Sequence, residues 1–119
     1  MSKLSFIIFI PLLLLISSCW ESEIGRSYYP NGNIMTEATV HNGLLDGPSI
    51  MYYESGEKMS EAIYKYGLLD GLSVSYYKNG KVKASAIYKK GLLSGKSLYW
   101  KEDGTLVKEV IFDLGKLIQ

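Results

Sequence analysis

The chain has 119 residues, with 13 basic and 12 acidic side chains and a single cysteine. This length predicts one small domain, and a lone cysteine excludes a disulfide within the chain. The near-neutral charge disfavours nucleic-acid binding, which usually leaves a basic footprint on a domain.

Residues 1–18 are predicted to form a signal peptide, which is expected to be helical. Lys3 precedes an apolar run from Leu4 to Ile16 that only Ser5 and Pro11 interrupt. The run is shorter than the ~20 residues that a helix needs to cross a bilayer. It fits the apolar segment of a secretory signal peptide, so the sequence predicts export.

The junction Leu15-Ile16-Ser17-Ser18-Cys19 resembles the lipobox of bacterial lipoproteins. The resemblance implies cleavage before Cys19, acylation of its thiol, and attachment to a bacterial membrane, the outer membrane if the cell has one. Two or three acyl chains anchor a protein stably, whereas one chain alone binds marginally. The alternatives are an ordinary signal peptide with an incidental cysteine and an uncleaved N-terminal anchor.

After a predicted tether at residues 19–27, the sequence repeats with a fixed period of 24 residues. Gly43, Gly67 and Gly91 begin successive copies, and no insertion or deletion breaks the register. A period of this length is typical of a repeat array. The array is predicted to span 28–119, with units at 28–42, 43–66, 67–90 and 91–114 and a remnant at 115–119.

Each unit is predicted to form a β-hairpin. The strands of one unit are Ser49–Tyr53 and Lys58–Tyr64, with Ser55-Gly56 between them. Asn-Gly and Asp-Gly are strong hairpin signals because both residues tolerate the positive φ of a tight turn. The Gly-Leu-Leu segments are expected to connect one hairpin to the next. The predicted fold is all-β, a single-layer antiparallel sheet of tandem hairpins, with turn glycines at Gly32, Gly56, Gly80, Gly104, Gly43, Gly67 and Gly91.

The repeat resembles the MORN repeat in the variant common in bacteria. The resemblance rests on a tyrosine pair, a glycine three residues later, an acidic or small residue, and Tyr-Lys before the next glycine. It covers about residues 26–115. It implies a non-catalytic scaffold, and related bacterial proteins are often described as antitoxin-like. The matching positions are Tyr52-Tyr53, Gly56, Glu61, Tyr64-Lys65, Tyr76-Tyr77, Gly80 and Tyr88-Lys89, whereas Val40-His41, Trp100-Lys101 and Phe112-Asp113 depart from the pattern.

Alternation along the strands predicts a stacked aromatic row on one side of the sheet. Such residues usually serve as packing, and the alternative is that part of the row lines an open groove. The predicted row is Tyr28, Tyr52, Tyr76 and Trp100 beside Val40, Tyr64, Tyr88 and Phe112.

The leucine pairs 44–45, 68–69 and 92–93 form a second candidate surface. We expect one leucine of each pair to pack inward and the other to form an exposed apolar ridge; the alternative is that both are buried. The candidate partner-binding residues are Leu44, Leu68, Leu92, Tyr52, Tyr76 and Trp100.

Charge is divided unevenly along the array. Up to Tyr64, the chain after Cys19 has seven acidic and two basic residues, and after Tyr64 it has five acidic residues and ten lysines. The simplest explanation is solvated strand faces. The alternatives are steering of an acidic partner and head-to-tail contact between copies.

Catalytic and metal-binding groups are scarce. His41 is the only histidine, Gly43-x-x-x-Gly47 lacks the lysine of a phosphate loop, and Ser94 interrupts the series that Asp46 and Asp70 begin. No metal, cofactor, small-molecule substrate or enzymatic activity is expected.

The predicted function is a lipid-anchored, non-catalytic protein-binding module at the bacterial cell envelope. An antitoxin- or immunity-like role towards a toxin-like protein is one option, and the sequence does not identify the protein partner. The alternative is a structural envelope protein that contacts lipid or glycan through its aromatic face.

Overall fold

The computed structural model describes residues 21–119, and the predicted signal peptide and Cys19 lie outside this range. The described residues form ten antiparallel strands and no helix, and so include no helical segment capable of crossing a membrane. The strands are β1 (Glu23–Tyr28), β2 (Ile34–His41), β3 (Leu44–Tyr52), β4 (Lys58–Lys65), β5 (Leu68–Tyr76), β6 (Val82–Lys89), β7 (Leu92–Leu93), β8 (Gly95–Trp100), β9 (Leu106–Asp113) and β10 (Lys116–Leu117).

The strands form one open sheet in which neighbours in sequence are neighbours in space. The order runs from β1 through β6 to β8, β9 and β10. The short β7 directly precedes β8 in sequence and also pairs with β6. This topology confirms the predicted single-layer antiparallel sheet of consecutive hairpins. The sheet begins at Glu23 rather than at residue 28, so five residues assigned to the tether belong to a strand.

The tight turns lie at the glycines that begin each repeat. Asn42 and Gly43 have φ of 50° and 77°, and the pair Tyr66-Gly67 repeats this geometry. Positive φ at both central residues is the mark of a two-residue type I′ turn, which matches the twist of the flanking strands. The glycine of each Gly-Leu-Leu segment therefore lies in the turn that joins two hairpins, as expected, whereas the leucines belong to the next strand and not to a connection.

The Asn-Gly and Asp-Gly dipeptides form a looser loop than predicted. Gly32 has a φ of 88°, whereas the φ of Asn31 is not positive. The amide of Gly32 donates to the Tyr29 carbonyl at 2.9 Å, and the amide of Tyr29 donates to the Asn33 carbonyl at 2.8 Å. These bonds close a three-residue loop with a bulge. The Asn31 side chain accepts from the Asn33 amide at 2.9 Å, which explains why asparagine or aspartate recurs there.

The strands that follow the tight turns bend at a second glycine. Gly47 has φ of 121°, and a Cβ on it would lie 3.2 Å from Cβ of Thr39. The register shifts beside it, because Ala38 pairs with Ser49 while Val40 pairs with Leu45. Gly71 and Gly95 repeat this bend, so the strand bulges at a position that only glycine suits.

The predicted single aromatic row is divided between the two faces of the sheet. Directly opposed residues share a face, and Ile50 is opposed to Glu61 while Ala62 is opposed to Ser49. Alternation then places Tyr52 with Ile50 and Tyr64 with Ala62, on opposite faces. The within-strand pairs were predicted correctly, but the assumed alignment between strands was wrong by one residue, which reverses every side chain of one strand.

Tyrosine hydroxyls link successive units along the loop edge. The hydroxyls of Tyr29 and Tyr53 donate to the carbonyls of Tyr52 and Tyr76, each at 2.7 Å. Tyr77 donates in the same way to the carbonyl of Trp100 at 2.8 Å. At the opposite edge, the amides of Gly67, Gly91 and Gly115 donate to the carbonyls of Leu45, Leu69 and Leu93 at 2.7–2.8 Å.

Burial is slight because no second layer covers the sheet. Among the described residues, only Val74 and Val110 are buried hydrophobic residues, and Ser97 is the only buried polar residue. The sheet is stabilised mainly by contacts between neighbouring units, as expected of a one-dimensional array. Both faces of the sheet are therefore available for contacts.

Candidate binding surface

One face of the sheet, here called the aliphatic face, carries branched side chains at its centre. Cross-strand pairing places Ile50 opposite Glu61, Pro48 opposite Ile63, and Leu72 opposite Ile87. Ile63, Leu72 and Ile87 are exposed although they are large and apolar. The central residues of the aliphatic face are Pro48, Ile50, Ile63, Leu72, Val74, Ile87, Leu98 and Ile111.

The first leucine of each pair extends this face to the tight-turn edge. Leu68 is paired with Lys65 and Leu69 with Tyr64, so the two leucines lie on opposite faces. Leu44, Leu68 and Leu92 are 49%, 51% and 48% exposed. Cδ2 of Leu44 lies 3.6 Å from where a Cβ on Gly67 would be. Each first leucine thus covers the turn glycine of the next unit and remains half exposed.

The aromatic candidates close the opposite, loop edge of the aliphatic face. Tyr52, Tyr76 and Trp100 are half-buried and share their face with Ile50, Val74 and Leu98. All six predicted partner-binding residues therefore lie on one face, the leucines along one edge and the aromatics along the other. Tyr64, Tyr88 and Phe112 lie on the other side of the sheet.

A carboxylate interrupts the aliphatic face beside Tyr76. The Tyr76 hydroxyl donates to Oε1 of Glu61 at 2.5 Å, and Nζ of Lys58 lies 3.1 Å from Oε2. The Tyr76 hydrogen bond and then Lys58 lower the pKa of Glu61. The same hydrogen bond, aided by desolvation, raises the pKa of Tyr76 to about 12. Glu61 therefore stays charged and its partners fix its orientation.

Two equivalent carboxylates are also paired on this face. Nε of Arg26 lies 2.7 Å from Glu37, and Nζ of Lys96 lies 3.1 Å from Glu109. The hydrogen bond to Glu37 raises the pKa of Arg26. Exposed pairs of this kind contribute little to stability, so they matter more for the charge pattern that a partner meets.

The centre of the aliphatic face has a shallow depression of about 240 Å³. Pro48, Ile50, Ile63, Leu72 and Val74 line most of it, and Glu61 lies at its margin. An apolar depression with one oriented carboxylate suits an apolar side chain that has a donor beside it.

The other face, here called the small-residue face, has a different character. Its centre carries Ser49, Ala62, Ser73, Ala86 and Ser97, which oppose one another across the strands. A depression of about 210 Å³ on this face is lined by Ser73, Ser75, Ala84, Ser85, Ala86, Tyr88 and Tyr99.

His41, the histidine weighed as a catalytic base, lies at the tight-turn edge of the aliphatic face. His41 is the last residue of β2 and pairs with Leu44, and no group of three or more potential metal ligands occurs within residues 21–119.

The hydroxyls of Tyr29, Tyr53 and Tyr77 were not predicted to link units. Their recurrence every 24 residues was the available signal.

An open array of similar hairpins with an exposed apolar face defines the class of repeat scaffolds, whose extended surfaces serve for binding. The model of the MORN repeat variant family matches residues 24–42, 45–66 and 69–90. The chain belongs to this family. MORN repeats commonly mediate protein or membrane binding and generally are not catalytic. The fourth hairpin, β8–β9, keeps the same geometry outside the matched ranges. No curated protein matches the chain.

Proposed function

We propose that this chain is a non-catalytic protein-binding module displayed at the bacterial cell envelope by a lipid on Cys19. The partner is a protein, and an antitoxin- or immunity-like role towards a toxin-like partner suits an exported, anchored binder. The observation that carries the proposal is the aliphatic face, where half-exposed Leu44, Leu68 and Leu92 extend an uncovered apolar surface. Contiguous exposed apolar surface usually marks a contact site.

The composition of the aliphatic face suits a protein partner. Its centre is apolar, and tyrosines and a tryptophan, which are enriched in protein interfaces, border it. Glu37, Glu61 and Glu109 also lie on it. Each of these carboxylates is held in an ion pair, with Arg26, Lys58 or Lys96, and a protein surface can complement such an oriented pattern of charge with matching donors and acceptors.

The leucine ridge provides the direct test. Leu68→Asp is compared with Met51→Asp, since Met51 is 43% exposed and lies on the small-residue face. The tagged proteins are recovered from membranes of the source cell, and bound proteins are quantified. A stoichiometric protein partner should be lost with Leu68→Asp, by roughly 30-fold or more in affinity for an interface hot spot, and kept with Met51→Asp.

Two outcomes contradict the assignment. Equal loss of the partner in both variants would show that the aliphatic face is not the specific surface. Loss of β-sheet circular dichroism in Leu68→Asp would show that the ridge is structural packing.

The anchor is tested separately. Mass spectrometry of the membrane-extracted protein should find an N-terminal Cys19 carrying acyl chains, and Cys19→Ser should release the protein from membranes. An unmodified cysteine in the purified protein would refute lipid anchoring and leave the binding proposal intact.

A second candidate is an envelope protein that contacts glycan through the small-residue face. The hydroxyl-lined depression between Ser73, Ser75, Tyr88 and Tyr99 favours it, because tyrosine combines an apolar ring with a polar group. Sedimentation with cell-wall material that Met51→Asp weakens and Leu68→Asp does not would support this candidate over the first.

A further inference from the structure

The two outermost long strands of the sheet have unpaired outer edges. The outer edge of β1 faces no other strand of the described chain, and β10 with the residues after it covers β9 only from Ile111 to Asp113. The backbone of β9 from Leu106 to Val110 is thus open within residues 21–119. Unpaired strand edges are templates for pairing with another chain.

We propose that the open edge of β9 binds β1 of a second copy of this chain, so that copies join head to tail into one continuous sheet. This contact uses the strand edges and does not depend on the proposed protein partner of the aliphatic face. Strand addition of this kind gives affinity through main-chain hydrogen bonds.

The repeat itself specifies the register of this junction. β9 is equivalent to β2, β4 and β6. β1 is equivalent to the second halves of β3 and β5 and to the whole of β8. Within the chain, Ala84 pairs with Tyr99 and Ser85 with Leu98. Shifting these pairs by the 24-residue period sets Lys108 opposite Ser27 of the second copy and Glu109 opposite Arg26 of the second copy.

Arg26 is the residue that distinguishes β1 from the interior strands. Its interior equivalents are Ile50, Val74 and Leu98, and Ile50 lies between Glu37 and Glu61. In the junction, Arg26 would likewise lie between Glu37 of its own copy and Glu109 of the other. A guanidinium has five N–H donors, so it can serve both carboxylates at once.

Exposed apolar residues and net charge also favour this contact. Tyr28 is 57% exposed and Val107 is 58% exposed, and the shifted register sets them opposite each other. The interior equivalents of Tyr28 are half-buried. The chain after Cys19 has a net charge of −5 up to Tyr64 and of +5 from Lys65 onwards, counting nine and fifteen charged side chains. Head-to-tail joining therefore brings the acidic end of one copy to the basic end of the next.

The C-terminal residues set where the second copy begins. The Ile118 amide donates to the Ile111 carbonyl at 2.9 Å, as the Ser94 amide donates to the Ile87 carbonyl at 2.8 Å. Gln119 therefore occupies the position of the bulge glycine Gly95. The added strand therefore pairs with β9 from Ile24 of the second copy onwards. Because Gln119 of the first copy already occupies the next position, Glu23 of the second copy must leave its pairing with Val40.

Such a contact joins two different surfaces, so it does not close on itself in a dimer. Heterologous contacts that do not close produce open chains of copies. The test is cysteine cross-linking of the full chain in its own membranes with a mild oxidant. Opposed residues of antiparallel strands have Cα atoms about 4.5–5.5 Å apart, which suits a disulfide.

The double variant Ser27→Cys with Lys108→Cys should give a reducible ladder of dimers, trimers and larger species. The two single variants expressed together should give dimers only, because each copy then has one reactive end. The matched control is Ser27→Cys with Val107→Cys. Val107 is the neighbour of Lys108 in sequence, is 58% exposed and lies on the other face of the sheet, so this pair should give no ladder.

Three results would overturn the proposal. The absence of a ladder would mean that the charged side chain of Glu109 keeps the edge solvated and the chain monomeric, a known protection of edge strands. An equal ladder with Val107→Cys would indicate random collision. Efficient dimers from Ser27→Cys alone would indicate that two β1 edges meet instead.

Discussion

Removing one tyrosine hydroxyl from the loop edge should measure the coupling between units. The Tyr53 hydroxyl donates at 2.7 Å to the carbonyl of Tyr76, and this bond joins the second unit to the third. Tyr53→Phe keeps the ring, which lies 5.6 Å from Nζ of Lys78, and deletes only the donor. Any loss of stability therefore reports the hydrogen bond between units.

The expected loss is about 1 kcal/mol, the usual net contribution of a hydrogen bond between uncharged groups. For an array of this size, about 1 kcal/mol corresponds to a fall in Tm of about 4–8 °C. The measurement is urea and thermal unfolding followed by far-ultraviolet circular dichroism. Because an array is stabilised by neighbour contacts, a break in its middle should also reduce the cooperativity of unfolding.

The matched control is Tyr66→Phe. Tyr66 is 70% exposed in a tight turn, and its hydroxyl takes part in no side-chain hydrogen bond among the described residues. This variant should unfold like the parent protein. Equal stability of Tyr53→Phe and Tyr66→Phe would refute the claim that tyrosine hydroxyls hold neighbouring units together.

Three further outcomes are expected. Gly47→Ala should cost about 1–3 kcal/mol and more than Gly56→Ala in urea unfolding, because both have positive φ but only at Gly47 would the new Cβ crowd a neighbour, Cβ of Thr39 at 3.2 Å. Since Glu61 raises the pKa of Tyr76 from 10.0 to about 12, stability from their bond is complete below pH 10 and lost towards pH 12; in Glu61→Gln, the pKa of Tyr76, followed by NMR of its labelled Cζ, should fall towards 10. The lowered pKa of Glu61 means that stability present above its unfolded value is lost as pH falls through its folded pKa, and acid unfolding of Glu61→Gln should lack this component.

The fold could be predicted because the period carries most of the information. Each unit repeats its glycines and strand residues every 24 positions, so one hairpin prediction applies to all four copies. The strand Lys58–Lys65 differs from its predicted range by a single residue. Helix signals in the array are few, so nothing competed with the strand assignment.

The turn types could not be separated by composition alone. Asn31-Gly32 has the sequence of a tight turn but forms a three-residue loop, while Tyr66-Gly67 forms the tight turn without asparagine. Tyr66 accepts a φ of 50° because the paired strands on both sides fix the turn length. Context from the sheet outweighed the local preference for asparagine.

The assignment of faces failed because it depended on the cross-strand register. Alternation within Lys58–Lys65 was evident, but alternation alone does not say which neighbour faces Ala62. The structure gives that partner as Ser49 rather than Ile50. The prediction for the leucines depended less on this register. The two leucines of a pair are adjacent in the strand, so one of them must lie on each face.

One position of the aliphatic face, held by Pro48, Leu72 and Lys96 in successive units, is not needed to set the fold, and this is why an apolar residue there points to binding. The fourth unit has Lys96 where the second and third have Pro48 and Leu72, yet Lys96 pairs with Ile111 as Leu72 pairs with Ile87. Register therefore survives a charge at this position. The units are held together by the pairing of β2 with β3, β4 with β5 and β6 with β8, and by the tyrosine hydroxyls and turn amides along the two edges. Since Leu72 is exposed and replaceable without loss of pairing, its apolar side chain is better explained by a contact with another molecule than by packing within the sheet.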